Sequence, residues 1–172
     1  MSRHPEYFNP VQLRIVTHSR KRAAKLVSEY YQVAPREWLR MPYEVKTLRS
    51  LDSSEVTDQA LAQTVCYAIK RQAGSIILKE EDLFRICLQD HRILSAACSL
   101  QVGLGPLLMY VLTHELIHVV RFGQRLQSVD LPQELRSGEE QKVEKTTQTI
   151  LAKAGDPDMK RLFEQKHTVL AN

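Results

Sequence analysis

Cysteine is scarce in this 172-residue chain: Cys66, Cys87 and Cys98 are an odd set with no paired spacing and no metal-ligand neighbour close in sequence. That excludes a disulfide framework and reads as small core residues in a reducing compartment. The opening stretch MSRHPEYFNP lacks the apolar core of a signal peptide. Nor is there a clean apolar run of the roughly 20 residues that a membrane span needs, because the longest, Val102 to Val120, is interrupted by Thr113, His114, Glu115 and His118. The expectation is a cytoplasmic protein with no membrane partner. Aromatic residues make up only 6%, and internal repeats and low-complexity tracts are missing.

What is present suits a globular chain: 43% hydrophobic and 26% charged residues suffice for one domain, 1–172, with a real core. Its net charge of +4 is uneven, since residues 1–50 hold ten Lys or Arg against four acids. These form a basic N-terminal helical segment ahead of a core at 51–172. In THSRKRAAKLVSEYY, Arg20, Lys21, Arg22 and Lys25 read first as a solvated helix face. The alternative, a surface for nucleic acid or an acidic partner, lacks interleaved aromatics and helix-turn-helix spacing.

Local signals predict the element order. Asn9-Pro10 starts a long helix over about 10–33, and YEVKTL alternates weakly as a short strand. Asp52 and Glu55 form a capping-box pattern that, with Val56, Leu61, Val65 and Ile69, predicts a helix ending at Gly74. DLFRICLQDHRIL reads as a half-exposed strand. A helix from Ser137 to Gly155 and a short one from Pro157 to Thr168 close the chain. Between them, Gly103, Gly105 and Pro106 precede an apolar helix carrying VLTHELIHVV.

Within that helix His114, Glu115 and His118 spell H-E-x-x-H. Positions i and i+4 lie one turn apart on one face, so both imidazoles reach a single ion. Catalytic zinc takes three protein ligands and leaves a position open, with the adjacent glutamate serving as general base. A shuffled chain of this composition shows the pattern roughly 0.016 times, so context must add weight. It does: from Leu107 to Phe122 almost every other residue is apolar, leaving no wet face for the histidines. Two unpaired buried imidazoles would each cost on the order of 1–3 kcal/mol.

These residues resemble the zincin metallopeptidases, whose pattern asks for uncharged residues around the histidines, as Val111, Leu112, Leu116, Ile117, Val119 and Val120 are. The metzincin extension is excluded by Arg121 and Gln124, which stand where glycine and a third histidine would be. The gluzincin branch takes its third ligand from a glutamate on a later helix. At about 100° per residue, Glu140 lies roughly 20° from Thr147 on the stripe of Val143, Thr147, Ile150, Leu151 and Ala154, and so points inward. Glu139 and Glu144 flank it. Thermolysin-like gluzincins place a histidine-orienting acid four residues after the ligand, here Glu144. The smaller ImmA/IrrE-type peptidases are also similar, with EQKV matching their E-x-x-hydrophobic element, though Glu144 replaces their usual asparagine. A competing reading has Glu140 close a capping box with Ser137, in which case Glu144 becomes the ligand.

The resemblance implies an α+β fold: a small mixed sheet, a buried helix bearing the motif, a second ligand-bearing helix and a long N-terminal helix. It implies a zinc ion on His114, His118 and Glu140, Glu115 as general base, and a peptide or protein substrate aligned along the strand LFRICLQDHRIL. Tyr110, His91 and His167 are candidates to steady the oxyanion, whereas His4 and His18 read as solvated. Two other readings stand beside a peptidase: a regulator that keeps the zinc site but binds a partner or nucleic acid through its basic N-terminus, and a zinc-stabilised protein without catalysis.

Overall fold

A computed structural model describes residues 6–169, with side chains to 165 apart from that of Leu78. His4 lies outside the described residues, and so does the side chain of His167. Among the described residues the architecture is α+β: six α-helices and a three-stranded mixed sheet.

Helix α1 (Pro10–Tyr31) starts where the sequence places it. Asn9 Oδ1 accepts from Gln12 N at 2.9 Å while Gln12 Oε1 accepts from Asn9 N at 2.8 Å, and Pro10 gives up an N–H that has no partner in a first turn. Its buried stripe is Val16, Ser19, Ala23 and Val27. The small residues at 19 and 23 let α1 lie close along α4 (Leu104–Gly123), and both helices contribute to one hydrophobic core. The basic segment is therefore packed onto the rest of the chain. A short helix, α2 (Pro35–Trp38), leads into strand β1 (Tyr43–Lys46).

The helix expected over 52–74 is not there. Asp52 and Glu55 do form their capping box, but it closes a single 3₁₀ turn, Ser53–Glu55. Residues Ala62–Ala73 are instead strand β2, paired antiparallel with β3 (Ile76–Leu88). Apolar residues at 56, 61, 65 and 69 imitate helical spacing, yet Gly74-Ser75 is a two-residue hairpin loop. Gly74 takes φ 62°, the positive value a first loop residue needs there. Strand β3 ends at Leu88, so the second half of the expected strand, from Asp90, belongs to helix α3 (Asp90–Leu100).

The sheet order is β1-β3-β2, with β1 parallel to β3. Phe84, Ile86 and Leu88 alternate onto the core face, while Arg85 points to the other side. There Glu55, 2% exposed, accepts from Arg85 Nη1 at 2.7 Å, from Tyr67 Oη at 2.5 Å and from Asp52 N at 2.9 Å. Burial alone would raise the Glu55 carboxyl, but the Tyr67, Asp52 and Arg85 donors outweigh it and hold it down to about 2. A carboxyl lowered from 4.5 stabilises the fold above its unfolded value and loses that contribution as pH falls from 4.5 to about 2. Stability at pH 2 should thus be about 2–3 kcal/mol below that at pH 6 from this residue alone. Urea unfolding of Glu55→Gln checks this: the variant should be less stable at pH 6 and show a flatter acid limb, and an acid limb equal to wild type would count against it.

Helix α4 is the centre of the molecule. Gly103 precedes it, and Gly105 and Pro106 lie inside its first turn, where a missing N–H costs nothing. Leu107, Leu108, Leu112, Leu116 and Ile117 are fully buried, each worth about 1.5–3 kcal/mol in transfer from water. A helix apolar all round must be enclosed; α1, the sheet, α3, α5 (Gln133–Ala152) and α6 (Pro157–Val169) surround it. Among the described residues no helix is long and apolar enough to cross a membrane.

Candidate metal centre

His114, Glu115 and His118 sit in the middle of α4, where the helix meets a cleft of about 630 Å³. The cleft runs between α4, the residues from Gln59 to Thr64 at the start of β2, and the 127–131 segment before α5. His118 and Glu115 are buried, and His114 is partly open. Phe122, one turn after His118, stacks on its ring at 5.7 Å between centroids and 20° between planes, and Phe84 stacks on Phe122 behind it. The ring of His118 is thus held by the core.

The second helix delivers Glu140. Its Oε1 is 3.1 Å from His118 Nε2 and its Oε2 is 3.3 Å from His114 Nε2. One ligand atom from each of the three residues lies within 4.8 Å of the other two. Helix α5 begins at Gln133, so Ser137 and Glu140 are both well inside it. Glu140 therefore closes no capping box at the helix start, and its side chain reaches across to α4. Val143, Thr147, Ile150 and Leu151 are buried as the stripe required, whereas Ala154 lies beyond the helix and is exposed. Glu139 serves another purpose: Arg121 Nη2 donates to its Oε2 at 2.6 Å and fastens α5 to α4 beside the trio.

Glu144 stands behind His114, with Oε2 3.7 Å from His114 Nδ1. The same oxygen accepts from Tyr110 Oη at 2.6 Å, and Oε1 accepts from Gln148 at 2.8 Å. Glu144 thus lies on the far side of the imidazole from Glu140, a carboxylate facing Nδ1 from beyond hydrogen-bond distance.

Two imidazole nitrogens and a carboxylate oxygen are a donor set that zinc accepts. The Nδ1 atoms of His114 and His118 are buried and accept or donate no hydrogen bond in this arrangement, while both Nε2 atoms face Glu140. Electrostatics point the same way. Burial opposes a charged His118, yet the Glu140 hydrogen bond and the Glu115 and Glu140 charges raise it. Burial would raise the Glu140 carboxyl, and the hydrogen bonds from His114 and His118 hold it well below the usual range. Burial first, then the charges of Glu115 and Glu140, push the Tyr110 hydroxyl up. Three carboxylates around two imidazoles favour a cation. The residues fit the ion.

Glu115 is one residue from His114 but points to the sheet, where Thr64 Oγ1 on β2 donates to its Oε2 at 2.7 Å. Nothing local in the sequence marks Thr64, which is 51 residues away. Arg92, Gln127 and Arg136 also line the cleft without having been singled out. Of the oxyanion candidates, Tyr110 lines the cleft, whereas His91 is engaged with Asp58 at 2.9 Å and does not. The expected substrate strand also shifts: over residues 84–87 β3 is paired on both sides, and the edge strand at the cleft is β2. The cysteines stand outside the cluster; Cys87 is buried and pushed by that burial to about 12, while Cys98 is exposed rather than in the core. No protein-family profile, curated protein or solved structure matches the chain.

Proposed function

We propose that the protein is a zinc-dependent metallopeptidase of gluzincin type, with His114, His118 and Glu140 holding the ion and Glu115 as general base. The observation that carries this reading is the convergence of three ligand atoms from two helices within 4.8 Å, in a cleft that also admits Glu115. Zinc held there supplies Lewis acidity to a carbonyl and to water. Glu115 takes a proton from the attacking water at its carboxylate and returns it to the leaving amine. The negative charge of Glu144 on the Nδ1 side of His114 favours the tautomer that keeps its proton there and offers Nε2. The outer edge of β2, which has no strand partner among the described residues, gives an extended peptide a place to add as a further strand beside the site. A cytoplasmic location belongs to the same reading.

Glu115 supports catalysis over a purely structural ion, because a structural zinc site has no use for a non-ligating carboxylate beside it. One observation favours the regulatory alternative: Arg14, Lys21, Arg22 and Lys25 are all exposed on α1, whose single acid, Glu29, is 4.0 Å from Lys25. Binding of nucleic acid that weakens with salt would support it. The deciding experiment is metal analysis of the purified protein with a peptide-library cleavage assay, before and after chelation. Stoichiometric zinc and cleavage that chelator removes and zinc restores are expected; bound zinc without cleavage of any peptide would overturn the peptidase reading.

A further inference from the structure

Glu115 carries a buried carboxylate whose two oxygens are in different positions. Oε2 accepts from Thr64 Oγ1 at 2.7 Å, and the same hydroxyl lies 3.4 Å from the Glu115 carbonyl oxygen. Among the described residues Oε1 has no hydrogen-bond donor. The donor is rigidly mounted. Thr64 lies in β2 opposite Ile86 of β3, which is fully buried, so the strand cannot shift without disturbing the core. Its β-branched side chain has restricted χ1 freedom and presents the hydroxyl in one direction. The carboxylate end of a glutamate, by contrast, turns in a broad, shallow well when nothing holds it.

We infer that Thr64 is the positioning residue of the general base, tethering Oε2 of Glu115 so that Oε1 faces the cleft as the proton acceptor. This role rests on the peptidase reading above. The tether does more than satisfy a buried group. It joins the base to the edge strand that borders the cleft, so a peptide laid along β2 is placed in fixed register with the carboxylate that must reach its scissile bond. A valine of the same shape would keep the packing and lose both effects.

The test compares zinc-loaded wild type, Thr64→Val, Thr64→Ser and Glu115→Gln in peptide cleavage, with zinc content, thermal unfolding and crystal structures of each. Thr64→Val is expected to lower kcat about 10- to 100-fold, the worth of one hydrogen bond to a charged group. KM and zinc content should stay near wild type. Thr64→Ser, which retains the hydroxyl, should recover most of the rate. In the crystals Glu115 should keep one rotamer in Thr64→Ser and spread over several in Thr64→Val. Should valine unfold the protein, Thr64→Ala, which leaves room rather than a clash, carries the same comparison. A single unchanged Glu115 rotamer and unchanged kcat in the hydroxyl-free variant overturn the tether while leaving the peptidase intact. A zinc-loaded wild type that cleaves nothing overturns the peptidase reading and the positioning role together.

Discussion

Glu115→Gln should reduce peptide cleavage by about 10²- to 10⁴-fold, the usual worth of a positioned general base, with bound zinc unchanged. Glutamine keeps the size of the side chain and can still accept from Thr64 through its amide oxygen, so the tether and the fold should survive. What disappears is the capacity to take a proton from water. The two imidazoles and Glu140 are untouched, and Glu115 is not among the three convergent ligand atoms. Metal analysis and turnover are therefore expected to separate: full zinc occupancy, almost no rate. A loss of zinc in parallel with activity would show Glu115 to be a ligand instead and would sink the assigned division of roles.

Glu140→Ala should weaken zinc binding by more than the about 10–100-fold that loss of an outer partner costs, whereas Glu144→Ala should fall within that range. The difference follows from position. Glu140 offers both oxygens to the space between the two Nε2 atoms, at 3.1 and 3.3 Å, whereas Glu144 approaches His114 from the Nδ1 side and is occupied by Tyr110 and Gln148. Removing Glu140 deletes a proposed ligand and a negative charge at once; removing Glu144 deletes only a charge on the Nδ1 side of His114. Competitive zinc titration of the two variants measures this directly. Thermal melts give a second reading, since a ligand present at 100 times its Kd stabilises by about 2.7 kcal/mol, a gain that Glu140→Ala should lose at the same zinc concentration. Equal affinity of Glu140→Ala and wild type would rule out Glu140 as the third ligand.

Legibility in the sequence tracked the range over which each feature is made. Asn9, Pro10 and Gln12 start α1 because a cap is a contact among neighbours, and the two histidines share a face because both lie on one helix. Glu140 was within reach of helical geometry as well: its angle to Val143 and Thr147 says that it faces inward. The error at 52–74 has the same origin. Apolar residues at 56, 61, 65 and 69 satisfy a helical count, but the strand they belong to is stabilised by a partner from 76 to 88, and only the Gly74-Ser75 loop advertises the pairing.

From the chain alone came the helical half of the candidate centre: an H-E-x-x-H turn in a helix too apolar to lie at the surface, and a helix downstream with one inward glutamate. Tertiary structure decided the rest. It chose Glu140 over Glu144, because Arg121 and Glu139 fix how α5 lies on α4 and hence which carboxylate falls between the imidazoles. It made β2 rather than β3 the edge of the cleft, and it brought Thr64 to Glu115. Those outcomes depend on packing between segments far apart in sequence, whose closure entropy is met only when the whole core assembles, and no local pattern of residues encodes them.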